Sequence, residues 1–243
     1  MSFMRGAIST PRHKLAGATP FKAVAAPTQF LWPITQLSMW GNADYGDCVT
    51  AEEAFAKSCR TPGGGVLITD DIVTSWAKAN GFLNGANLQN VLDKMQTGGF
   101  EQGGSKWDDG PYQSIDWTNA AILQSAITLG PVKIGVAASQ LEITCKSVGE
   151  GVSGWFAIGY KQDYDEDHCV SLCGYGPISW LAEQLGEAIP DDVDGTQPAY
   201  AIFTWESVGI IDVPSLLAIC GEAWVRNPTT QMMPATLPLT DIG

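Results

Sequence analysis

Cationic residues are scarce in this chain: 13 Lys and Arg stand against 26 Asp and Glu, a net charge of −13. No basic run offers the positive patch that a phosphate backbone or an anionic lipid surface needs, so neither nucleic acid nor membrane is an expected partner. Histidines number only two, and the six cysteines (Cys48, Cys59, Cys145, Cys169, Cys173, Cys220) lack the paired short spacings of a structural zinc site. No metal and no cofactor is expected. No stretch approaches the roughly 18 consecutive apolar residues of a membrane-crossing helix. The positively charged start, MSFMRGAISTPRHKLAGATPFKAVAAP, is not followed by the apolar stretch of a secretory signal. The expected location is therefore cytoplasmic, with thiols reduced rather than paired.

What the chain does have is core-forming material. With 243 residues, 45% of them hydrophobic, it is long enough for one large domain or two packed subdomains without disulfides. Residues 1–30, rich in Ala, Pro, Thr and Lys and without periodicity, read as an extended strap over the surface or a disordered leader. TDDIVTSWAKANG, from Thr69, has a Thr cap, acids in its first turn and Gly81 as a stop, and so predicts a helix; NLQNVLDKMQTGG, from Asn87, repeats the pattern. DWTNAAILQSAITLG predicts one more helix. From Val132 the signal turns β-like, with strands expected at 132–136, 155–160, 168–176 and 200–205. A segment at 177–198 reads as an insert holding a short amphipathic helix, and 213–225 as a closing helix before a Pro-rich tail. The chain thus divides into an N-terminal extension (1–30), a helical lobe (31–125) and a β-rich lobe (126–243).

One junction carries chemistry. In GNADYGDCVTAEEAFA, a loop of Gly, Asn and Asp ends at Cys48, and the helix-forming run that follows puts this thiol in a helix's first turn. There the unsatisfied N–H groups favour a thiolate, by roughly 0.3–1 kcal/mol when exposed. Asp47 could cap that helix, but its charge opposes thiolate formation. About 120 positions later His168 opens an apolar strand in DHCVSLCGYG; alternation sends His168, Val170 and Leu172 to one face and Cys169, Ser171 and Cys173 to the other. An imidazole so placed can deprotonate a thiol and later protonate a leaving group. Two other motifs are discounted. The run Asp163, Asp165, Glu166, Asp167 lacks the Gly and the Glu of a calcium loop, and Gly63–Gly65 lacks the Lys of a phosphate loop.

Four stretches fall in a fixed order: NADYGDC (42–48), LGPVKIGV (129–136), DHCVSLCGYG (167–176) and YAIFTW (200–205). Together they resemble the papain-like cysteine peptidases, which have a Gln six residues before the nucleophile, a G-P-V-S-V-A strand, D-H-A-V-x-x-V-G-Y-G around the histidine and Y-W-x-x-K-N-S-W-G around the residue that orients it. TWESVG also resembles a T-W-G segment of bacterial and phage papain-like proteins that carry G-N-D-x-Y-G-D-C. The resemblance implies an α+β fold of two lobes with the site in the cleft between them. It implies Cys48 as nucleophile and His168 as general base and acid. Asn42, in place of the family's Gln, becomes the side-chain donor of the oxyanion hole, reaching one methylene less far. Counting along 200–206 puts Phe203 or Trp205 at the orienting position, and neither accepts a hydrogen bond from imidazole; Glu206 is the nearest acceptor and Ser207 the next.

The function this implies is hydrolysis of a peptide or amide through a Cys48 thioester. Two rivals stand beside it: a transacylase or cyclase that uses the same pair with another acceptor, and a non-catalytic domain that keeps the cleft for binding or assembly.

Overall fold

The computed structural model describes residues 3–34, 36–60, 66–149 and 154–228; the Gly63–Gly65 stretch and the tail beyond Pro228 lie outside the described residues. The N-terminal segment passes through β1 (Ala7–Ile8) and α1 (Arg12–Gly17) to β2 (Phe30–Leu31). Next comes α2 (Cys48–Arg60), and then α3 (Asp70–Asn80), which has Asp70 and Asp71 in its first turn and stops at Gly81 in the left-handed region, φ 78°. β3 (Ala86–Asn87) leads into α4 (Leu88–Thr97), which buries Leu88, Val91, Leu92 and Met95, the stripe its spacing predicts. β4 (Phe100–Gln102), β5 (Ser105–Trp107) and β6 (Asp109–Ser114) complete the first half.

The second half opens with α5 (Ala120–Leu129), capped by Asn119, whose side chain accepts from the N–H groups of Ala121 and Ile122. There follow β7 (Val132–Val136), α6 (Ser139–Val148), β8 (Phe156–Ala157), β9 (His168–Pro177), α7 (Ile178–Leu185), β10 (Pro198–Thr204), β11 (Ser207–Asp212), α8 (Val213–Ile219) and β12 (Cys220–Pro228). The main sheet runs β6-β12-β7-β9-β10-β11-β8, with β2 added on β9. Helices cover both its faces. Val170 and Leu172 of β9 join Val132, Ile134 and Ile202 in a core that includes Leu123 of α5, Leu141 of α6 and Leu216 of α8. Cys169 and Cys173 join Ala201 and Phe203 in a second core with Val49 and Phe55 of α2, Leu92 of α4 and Leu181 of α7. The alternation read from β9 is what divides the two cores.

Three elements differ from expectation. The closing helix over 213–225 ends at Ile219, and the rest is β12, a central strand between β6 and β7. The strand expected over 155–160 is only Phe156–Ala157. The first half is not purely helical, since β6 hydrogen-bonds β12 and so enters the main sheet.

A set of buried charges fastens α2 to that sheet. Glu52, Glu53 and Lys57 of α2 meet Lys133 of β7, Arg226 of β12 and Asp109 of β6, all fully buried. Arg226 takes Glu52 in two bonds of 2.7 and 2.9 Å. Lys133 reaches Glu53 at 2.7 Å, Glu52 at 3.1 Å and the Val49 carbonyl at 2.7 Å, while Lys57 lies 3.2 Å from Asp109. Three acids against three bases leave the set neutral, the condition under which buried charge is tolerated. Among the described residues no helix is long and apolar enough to cross a membrane, and no group of His, Cys, Asp and Glu is arranged to hold a metal ion.

Candidate active site

Cys48 is the first residue of α2, and His168 the first of β9. The loop before Cys48 is tied down at Gly46, which bridges to Asn84, and at Asp47, whose carbonyl accepts from Thr50 and Ala51. The Cys48 sulfur accepts hydrogen bonds from the backbone N–H groups of Cys169 and Gly6. The thiol therefore lies beside the residue that follows His168 and against the N-terminal segment.

His168 is held on two sides. Its Nε2 is 2.7 Å from Thr204 Oγ1, and Trp205 stacks on its ring with centroids 4.2 Å apart. Trp205 and Glu206 form the turn between β10 and β11 with φ of 43° and 59°, both in the left-handed region. A two-residue turn of this kind matches the twist of a β-hairpin, but for residues other than glycine each such φ costs roughly 1–2 kcal/mol. That strain is spent where it lays the indole over the imidazole. Nδ1 of His168 is buried and has no hydrogen-bond partner, Cys48 included.

The cleft expected from the sequence is filled. Residues 3–10 run through it, pairing with β3 as a strand at Ala7–Ile8. Phe3 stacks on the far side of Trp205 at 4.6 Å, and the Met4 carbonyl accepts from the Trp205 indole at 3.0 Å. Arg5 pairs with Asp167 at 2.5 Å and Glu142 at 2.9 Å. The Ala7 N–H donates to the Asp167 carbonyl and the Ala86 N–H to the Gly6 carbonyl. Thr10 donates its N–H to Glu222 Oε1 at 2.9 Å. Beneath this segment Cys48 is 2% exposed and His168 1%.

Burial sets the protonation states. It pushes the Cys48 thiol up to about 12, with the nearby Asp47 adding to the rise and the backbone bonds and Lys133 opposing it. Burial also drives His168 down to about 3, helped by the Arg5 guanidinium. At neutral pH the pair is thiol and neutral imidazole, not the thiolate expected from the helix start. Asp47 does not cap α2 with its side chain: both carboxylate oxygens are buried without a hydrogen-bond partner, and burial raises the group to about 8. Being largely protonated at pH 7, it opposes a thiolate less than its sequence position implies.

Asn42 is buried, and its Nδ2 donates to the Tyr45 carbonyl at 3.0 Å. Glu206 sits in the turn after Trp205, and the group on His168 Nε2 is Thr204 instead. The sequence reading missed Thr204, although alternation along β10 from Tyr200 through Ile202 puts it on the His168 face of the sheet.

No protein-family model matches the chain, and no curated protein matches it in sequence. Solved structures do. The proform of the Amb a 11 cysteine protease, a ragweed pollen allergen, aligns with a TM-score of 0.59 over 85% of this chain at 13% identity. The fold is papain-like. The alignment spans 66% of the ragweed proform's length, so the chain is much the shorter of the two. Procathepsin L 3 from the larval midgut of Tenebrio molitor aligns at 0.60 over 86% of this chain and 73% of its own, at 12% identity. The bromelain protease of Ananas comosus, solved with the E64 inhibitor, aligns at 0.58 over 84% of this chain and 100% of its own, at 14% identity. In this papain-like arrangement α2 carries Cys48 and β9 carries His168, and neither ring nitrogen of His168 is hydrogen-bonded to Cys48.

Proposed function

We propose that the chain is a papain-like cysteine peptidase held latent by its own N-terminal segment. The observation that carries this reading is the mount of His168: Thr204 on Nε2 and Trp205 on the ring face leave Nδ1 as the unengaged nitrogen. With Nε2–H donating to Thr204, Nδ1 keeps its lone pair and is the base. It takes the proton from Cys48 Sγ, and the sulfur then attacks the carbonyl carbon, forming a C–S bond as the C=O electron pair moves to oxygen. The Cys48 backbone N–H and Asn42 Nδ2 are the donors for that oxygen, once the Asn42 amide turns from Tyr45. On collapse the C–N bond breaks, and the imidazolium returns its proton to the leaving amine. Water, deprotonated by Nδ1, then cleaves the thioester and restores the thiol.

What seals the pair is the removable segment, residues 3–10, and two of the similar structures are likewise proforms. The test is hydrolysis of a casein-derived peptide mixture by the full chain with Gly6→Val, which forces the segment off its seat. Cleavage by this variant, lost on adding His168→Ala, is the expected result; no cleavage above the unmodified chain would leave the fold without the activity.

A second reading, a binding domain without catalysis, is favoured by one set of observations: a thiol raised to about 12, an imidazole lowered to about 3 and an Asn42 amide already engaged. It predicts that the segment can be displaced while Cys48 stays inert.

A further inference from the structure

The occupant of the cleft shows what the cleft admits. Gly6 lies in it beside Cys48, with Gly46 and Gly85 as neighbours. A Cβ on Gly6 would run into the carbonyl group and Cα of Gly46. A Cβ on Gly46 would lie 2.9 Å from the Arg5 carbonyl oxygen, and one on Gly85 2.9 Å from the Gly6 carbonyl oxygen. Three backbones thus touch with no side chain between them. The obstruction is main chain, and at Gly46 that main chain is fixed by the bridge to Asn84 and by the start of α2, so it cannot yield as a flexible side chain would. Gly6 is absent from the glycines with positive φ. It is a glycine for want of space, not for backbone freedom.

The neighbours of Gly6 add a second preference. Arg5 reaches two carboxylates, Asp167 and Glu142, but is a third exposed, so its ion pairs are screened. The hydrogen bonds of the Ala7 N–H and the Gly6 carbonyl join main-chain atoms and fit any sequence. They give affinity without selectivity.

We infer that the cleft selects extended peptides, running parallel to β3, that place a glycine between Gly46 and Gly85 with a cationic side chain immediately before it. This rests on reading the filled groove as a peptide site and is independent of whether bound peptide is cleaved. Glycine is the dominant requirement, and the cation is secondary.

The probe is a fluorescent peptide of residues 1–12 of this chain, titrated by anisotropy into full-length Cys48→Ala/Gly6→Val protein, which neither cleaves it nor keeps its own segment seated. Saturable binding is expected, weakened by about tenfold or more when the peptide carries Gly6→Ala and by only about two- to fivefold when it carries Arg5→Gln. Equal binding of the glycine and alanine peptides overturns the inference, as does binding of neither. Should Gly6→Val impair folding, Phe3→Ala/Arg5→Glu loosens the segment without touching Gly6, and the same comparison applies. With Cys48 restored in the Gly6→Val chain, a peptide bound selectively but left uncleaved would count against the peptidase reading alone; cleavage without preference for glycine would count against this inference alone.

Discussion

Thr204 determines how the His168 ring can work. A hydroxyl 2.7 Å from Nε2, with an indole on the ring face, fixes the imidazole in place and turns the other nitrogen free. Thr204→Val keeps the shape and removes the bond, leaving a buried ring nitrogen unsatisfied, so stability should fall by about 1–3 kcal/mol in urea unfolding. Thr204→Ser should recover most of the loss; equal losses in both variants would mean that the threonine methyl, not the hydroxyl, matters. Asp47 gives a prediction in pH. Its folded value near 8 lies above the unfolded carboxyl, so the folded state binds the extra proton between about pH 4 and pH 8 and loses stability as pH rises through that window. Asp47→Asn removes this loss. Its advantage over the parent chain should grow from pH 4 to pH 8 in chemical denaturation, and an advantage that shrinks instead would contradict the assignment.

Among helices and strands, the link between α2 and the sheet is the most consequential. Lys133 is the buried cation that touches Glu52, Glu53 and the Val49 carbonyl one residue after Cys48. Lys133→Met leaves the glutamates short of one charge inside the protein and should cost about 3–5 kcal/mol. A loss below about 1 kcal/mol, the size of an exposed pair, would show that water reaches the cluster. This cluster also explains what was hard to read. In CGEAWVRNP the alternating inward positions include Glu222 and Arg226, so β12 shows no apolar alternation and the preceding helical pattern runs on through it. α4, α5 and β9 carry conventional apolar patterns and were legible. Thr204 was within reach: the register shift between Ala201 and Ile202 defeats counting against a family template, but the face alternation of Tyr200, Ile202 and Thr204 survives it. The course of residues 3–10 was not legible, because Phe3, Arg5 and Gly6 find their meaning only against Trp205, Asp167 and Gly46, far away in the chain.

For the protein as a whole, the account turns on whether the N-terminal segment is the reason that Cys48 is silent. In the intact chain a buried thiol held near 12 cannot be alkylated quickly at pH 7. Once the segment leaves, the desolvation that raises Cys48 and lowers His168 is relieved, and their values move toward each other. Arg5→Glu, which sets like charges against Asp167 and Glu142, should loosen the segment and be partly rescued by high salt, as screening predicts. Hydrogen exchange at Ala7 and Ala86 reads this directly; protection unchanged by Arg5→Glu would show that the ion pairs do not hold the segment.

The most direct measurement is the rate of iodoacetamide labelling at Cys48, located by peptide mass mapping, in the unmodified chain, in Gly6→Val and in Gly6→Val/His168→Ala at pH 7. The account predicts near silence, then selective labelling of Cys48 ahead of the partly exposed Cys220, then loss of that selectivity. Labelling of Cys48 in Gly6→Val that is no faster than that of Cys220, or that is indifferent to His168, would contradict it.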